Sequence, residues 1–129
     1  MPNVYTLGYA APGAAEKLDQ LMTDPAMTLL DIRLRPVSRW YPAFCKASLE
    51  RRFSWQYFDV PELGNLNYRD RSLPIVLARS SEGLEFVLGL LRFDRPVCLL
   101  CACKDVESCH RSFVARLVQE QFSCEVVHL

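Results

Sequence analysis

The sequence has no run of eighteen apolar residues, so no segment has the length to cross a bilayer as a helix. Its first residues, MPNVYTLGYA, lack the charged start and apolar middle of an export signal. A cytoplasmic protein with no membrane partner is therefore expected. Internal repeats and low-complexity stretches are absent too, which excludes solenoid and linker-like architectures. Formal net charge is zero, against the strongly basic balance of a dedicated nucleic-acid binder. Lysine is scarce, three residues against twelve arginines.

Half of the 129 residues are hydrophobic, enough for one core and too few for two, so residues 1–129 read as a single domain. Six cysteines would suggest disulfides in a small secreted domain. A chain that builds its own core and carries no export signal points instead to reduced thiols.

The neutral total conceals an uneven distribution. From Arg33 to Arg79 there are eight Arg and one Lys against Glu50, Asp59, Glu62 and Asp70, so this segment carries +5 and the flanks together −5. Arginine's planar fork suits bidentate contact with phosphate or carboxylate. A solvated arginine-rich surface is the plain alternative.

The pattern predicts alternating strands and helices. Val4 to Gly8 reads as a strand ending at Gly8-Tyr9, where a glycine lets a ligand or another backbone come close or simply makes a turn. Ala14 to Met22 has helical spacing, and Asp24-Pro25 stops it. Thr28 to Arg33 is a second strand, with Asp31 and Arg33 on one face near its carboxyl end. That pair either serves a ligand beyond the strand ends or fixes the following loop. Residues 34–42, with Pro36, Ser38 and Pro42, form a loop. Ala43 to Phe53 reads as a helix and Trp55 to Val60 as a strand.

A polar loop with Tyr68, Arg69 and Arg71 runs to Ser80-Ser81-Glu82, which signals a helix start. Leu84, Val87, Leu88 and Leu91 then form that helix's buried face. The apolar run from Val97, which stops at Cys101 and Cys103, reads as a buried strand, the phased apolar residues from Phe113 to Phe122 as a helix, and Cys124 to Leu129 as a last short strand. Such alternation predicts a single-domain α/β fold, a mostly parallel sheet of about five strands with helices on both faces in Rossmann-like layering.

The stretch VCLLCACKDVESCHR, Val97 to Arg111, carries the chemistry-bearing residues. Cys101 and Cys103 share a strand face and Cys98 takes the other. Cys109, His110 and Arg111 fall on the first turn of a helix, where free N–H groups and the dipole favour an anion or a thiolate. Three readings follow: a metal site of Cys101, Cys103, Cys109 and His110, whose spacing departs from the usual zinc knuckles; a reactive Cys109 thiolate with Cys101 as second thiol; or an anion site in which the thiols merely pack. A phosphatase-type loop fails by spacing, because Cys103 would need an arginine where Cys109 stands. His128 reads as structural or as exposed tail.

Gly8-Tyr9, Asp31-x-Arg33 with Pro36 and Ser38, Phe44, Leu63-Gly64, and Cys101 followed by Cys109-His110-Arg111 together resemble the bacterial and archaeal domain-of-unknown-function family 488. The resemblance runs over nearly the whole chain and implies that Asp31, Arg33, Ser38, Cys101, Cys109, His110 and Arg111 belong together. Two positions depart from the family pattern. Ala10 stands where serine is common, and Cys103 where glutamate is common, which makes Cys103 incidental and weakens the zinc reading.

The resulting expectation is a small enzyme acting on an anionic ligand bearing phosphate or carboxylate. Cys109, His110 and Asp31 would be catalytic, Arg33, Arg111, Ser38, Gly8 and Tyr9 would bind the anion, and no metal or other cofactor is expected. The rival is a nucleic-acid module using Arg39, Arg51, Arg52, Arg69 and Arg71 with Trp40, Tyr41, Trp55 and Tyr68. A metal-binding or structural protein is a third reading.

Overall fold

The computed structural model describes residues 3–103 and 109–129. Five strands, β1 (Val4–Gly8), β2 (Thr28–Asp31), β3 (Tyr57–Asp59), β4 (Val97–Cys101) and β5 (Val126–His128), form one sheet in the order β3-β2-β4-β1-β5. Every pairing is parallel. Among the described residues four α-helices connect them: α1 (Ala14–Leu21), α2 (Lys46–Phe53), α3 (Ser80–Arg92) and α4 (His110–Gln121). No helix among the described residues is long and apolar enough to cross a membrane.

The central strands are buried on both faces, as parallel strands under helices must be. Alternation along β4 sends Cys98 and Leu100 to a core shared with α1 and α2, through Leu18, Phe44 and Leu49. Val97, Leu99 and Cys101 face the opposite core, built on Leu84, Val87 and Leu88 of α3 and Val114 and Val118 of α4. Cys98 is fully buried, and burial pushes its thiol up to about 12.

Three segments differ from the sequence reading. Regular β2 stops at Asp31, although Ile32 N still donates to Leu100 O. The helix expected over Ala43–Phe53 is broken. A tight turn at Pro42–Phe44 precedes an extended Cys45, and α2 starts only at Lys46. Local bonds divert the chain there: the Ser38 amide donates to the Cys45 sulfur, the Cys45 thiol donates to Ser38 O, and Lys46 N donates to Pro36 O. The strand expected from Trp55 begins at Tyr57, after a tight turn at Ser54–Gln56. The Gln56 amide pins this turn by donating to the carbonyls of Asp24 and Met27.

Candidate functional site

Strand alternation places Asp31 and Arg33 on one face, and the two side chains lock together. Arg33 Nε donates to Asp31 Oδ1 at 2.7 Å and Nη2 to Oδ2 at 2.6 Å. The Arg33 amide adds a bond to Oδ1 and the Tyr57 hydroxyl donates to Oδ2 at 2.7 Å. Each oxygen of Asp31 thus accepts two bonds, and the residue is fully buried. Burial opposes the Arg33 charge, but the bonds and charge of Asp31 outweigh it and raise the guanidinium pKa. Burial, and then the Asp31 carboxylate, likewise push the Tyr57 hydroxyl up.

Arg33 Nη2 also donates to Phe44 O, whereas Nη1 is buried and has no hydrogen-bond partner among the described residues. The guanidinium lies 5.1 Å from the ring centroid of Tyr9, which stacks on Phe44. Arg33 is thus oriented from one edge by Asp31 and from one face by an aromatic ring.

Arg33 is among the residues lining a cavity of about 650 Å³ at the carboxyl ends of the strands. Tyr9, Arg33, Arg35, Tyr68, Arg71 and His110 supply its polar wall, and Leu34, Val37, Leu73 and Ile75 its apolar wall. Three arginines line it, and no carboxylate does among the described residues. One wall comes from the segment after Gly64. A Cβ at Gly64 would sit 2.6 Å from Leu34 Cα and 2.7 Å from Leu34 N, so only glycine lets that segment close on the backbone beside Arg33. Asn65 then bridges to Leu77, and its side-chain oxygen accepts the amides of Asn67 and Val76.

His110 opens α4, with Cys109 as the cap residue before it. Its Nε2 lies 2.8 Å from Ile32 O. A carbonyl can only accept, so Nε2 carries the proton and Nδ1 is left as the basic nitrogen. Burial lowers the His110 pKa, the positive charge of Arg111 adds to this, and the bond to Ile32 opposes it. The ring is thus held neutral.

Arg111 is 1 % exposed and is directed into the protein. Its Nη1 donates to Cys103 O at 2.9 Å and lies 3.7 Å from the Cys101 sulfur. Gly8 explains how this fits: a Cβ there would meet Cys103 O at 1.6 Å and Arg111 Nη1 at 1.9 Å. The close approach anticipated at this glycine is made by the protein's own backbone and guanidinium.

The sulfurs of Cys101 and Cys109 are in direct, disulfide-like contact, while Cys45, Cys98, Cys103 and Cys124 are free. The expectation that all six thiols are reduced finds no support at this pair. Cys103 is not set apart either, because its sulfur lies within 4.8 Å of both others. Burial raises its thiol pKa, with the charges of Arg71 and Arg111 pulling the other way. Residues 104–108 lie outside the described residues.

The structure therefore brings Tyr9, Arg33 and His110 to one cavity and puts Asp31 behind it. Cys101, Cys109, Arg111 and Gly8 form a buried layer beside it. Ser38 does not line the cavity; its hydroxyl accepts the Tyr41 amide. His128 Nδ1 pairs with the Thr6 hydroxyl at 2.6 Å.

Arg35 and the cavity role of Arg71 were missed by sequence reasoning. Arg35 continues the two-residue period of Asp31 and Arg33 past the strand end, a signal that was there to use. Arg71 gave none, since its place depends on how the segment after Gly64 folds back.

A family model described as a domain of unknown function, DUF488, matches residues 14–118. The chain belongs to the DUF488 family. The match takes in Asp31, Arg33, the Gly64 segment and the Cys101 to Arg111 stretch, so this DUF488 chain has its cavity walls almost entirely inside the family region. No curated protein and no solved structure matches it.

Proposed function

We propose that this DUF488 protein binds a small organic anion, bearing a phosphate or carboxylate, in the cavity at the carboxyl ends of β1, β2 and β4. The observation that carries the reading is a cavity lined by Arg33, Arg35 and Arg71 without a described carboxylate. Guanidinium groups gathered in one concave site with no acid to balance them favour an anionic ligand. The apolar wall fits a ligand with a carbon body as well as a charged end. Asp31 is the positioning residue for Arg33. As an enzyme, the protein would use the basic Nδ1 of His110 as proton acceptor. Cys109 stays out of the reacting set, because it is 1 % exposed and lies against Cys101.

Calorimetric titration with adenosine 5′-monophosphate, pyrophosphate and uncharged adenosine tests the reading. The two anions should bind and adenosine should bind far more weakly. Arg71→Ala should weaken anion binding roughly 10-fold or more, the size of a lost charge-assisted hydrogen bond. Equal binding of adenosine and its monophosphate, or an unaffected Arg71→Ala variant, would refute it.

The nucleic-acid reading retains one favourable observation, the exposure of Trp40 (80 %) and Trp55 (60 %). Salt-sensitive binding of a single-stranded oligonucleotide, lost in Trp40→Ala and kept in Arg71→Ala, would select it instead.

A further inference from the structure

Beside the cavity, three sulfurs from two separate chain segments converge. Cys101 ends β4, and Cys103, two residues on, returns to the same side by alternation. Cys109 arrives from the start of α4. Their sulfurs all lie within 4.8 Å of one another, and Cys101 and Cys109 are almost wholly buried. Convergence of three thiols is more than a core requires, since one small apolar side chain would fill each position.

The Cα atoms of Cys101 and Cys109 are 7.7 Å apart, beyond the roughly 4.4–6.8 Å that a relaxed disulfide spans. With metal–sulfur bonds of about 2.3 Å, the sulfurs around a zinc ion stand roughly 4 Å apart. The Cys103 sulfur already lies within 4.8 Å of both others, and the Cys101 and Cys109 sulfurs, now in direct contact, would part to admit the ion. Charge points the same way. Three thiolates around a divalent cation leave one net negative charge, and the buried guanidinium of Arg111, 3.7 Å from the Cys101 sulfur, offsets it. His110, the fourth ligand weighed from the sequence, is engaged with Ile32 O.

We propose that Cys101, Cys103 and Cys109 form a three-thiolate site for zinc or a similar thiophilic divalent cation, set in the wall of the anion cavity. Binding exchanges up to three thiol protons for the ion. No fourth ligand of the cluster is found among the described residues, and Cys103 is shared with the cavity lining. The site has the three protein ligands of an open zinc centre, with a position left for water or another small ligand. Because it uses no arginine of the cavity for coordination, it stands or falls apart from the anion reading.

The test is anaerobic titration of the reduced full-length chain with Co²⁺, and separately with Cd²⁺, followed by thiolate-to-metal charge-transfer absorption. One equivalent should bind per chain. Cys103→Ser should lower affinity by more than roughly 100-fold, beyond the loss typical of an outer-shell partner, and Cys45→Ser should leave it unchanged. A second measurement needs no variant: Cd²⁺ should shield Cys101, Cys103 and Cys109 from alkylation, read by mass spectrometry, and leave Cys45 reactive. Absence of the absorption band, binding unaffected by Cys103→Ser, or a Cys101–Cys109 disulfide that persists with only four titratable thiols under reductant would each overturn the proposal.

Discussion

Asp31 and Asp59 are paired neighbours on β2 and β3, and they show how differently one residue type is treated within a few ångströms. Asp31 receives four hydrogen bonds. Asp59 has a buried Oδ1 with no hydrogen-bond partner among the described residues, and Lys46, at 3.4 Å, and then Arg33 only partly offset its charge. Burial, reinforced by the Asp31 charge, raises the Asp59 pKa. A carboxyl with a raised folded-state pKa favours folding only while protonated, and that contribution fades as pH climbs through the raised value. Asp59→Asn should therefore stabilise the protein at pH 7, by up to about 1 kcal/mol after the loss of the exposed Lys46 pair. The gain should shrink as pH falls through the raised value and vanish at about pH 3, below the ordinary aspartate value of about 3.9, where an unfolded aspartate is also largely protonated. Urea denaturation at both pH values checks it. The Asp31–Arg33 pair was legible from strand alternation alone. The bonds of Tyr57 and Phe44 to it were not, because they join segments distant in sequence.

At the level of single elements, periodic apolar spacing located every strand and helix within a few residues. It failed where a side chain seizes the backbone, as Cys45 does with Ser38 and Gln56 does with the turn after α1. Helix α3 offers a sharper test of packing. A Cβ at Gly83 would come within 2.5 Å of Leu63 Cγ, whereas at Gly89 it would meet nothing within 4 Å. Gly83→Ala should cost about 1–3 kcal/mol through overpacking. Gly89→Ala, on the same helix, should add about 0.5–1 kcal/mol by removing backbone freedom. Thermal or urea unfolding of the two variants should move in opposite directions. Leu63→Ala should cost less in the Gly83→Ala background than in the parent chain if the Leu63 contact is the cause of the loss.

For the molecule as a whole, alternation of strand and helix sufficed to predict a parallel sheet covered on both faces, which is what the chain forms. The cavity was half legible. Its floor follows from strand ends at Tyr9 and Arg33 and from His110 at the start of α4. Its wall after Gly64 carries no periodic signal, and Arg71 therefore read only as part of a polar loop and as a phosphate contact of the rival nucleic-acid reading. If the cavity is the anion site, ligand binding is linked to global stability. Pyrophosphate at about 100 times its dissociation constant should stabilise the fold by about 2.7 kcal/mol, visible as a rise in Tm, and should do so less in Arg71→Ala at the same concentration.

The strand order also sets a timetable. β1, the earliest strand to be synthesised, lies between β4 and β5, the latest two, and Val4 finds its partners in Val97 and Val126. At ordinary rates of translation, β1 therefore waits on the order of ten seconds for a neighbour, with the side chains of Val4 and Leu7 uncovered meanwhile. Gly8 and the residues it accommodates meet only after that wait, so a nascent chain carries every cavity residue up to Arg71 before it has a cavity.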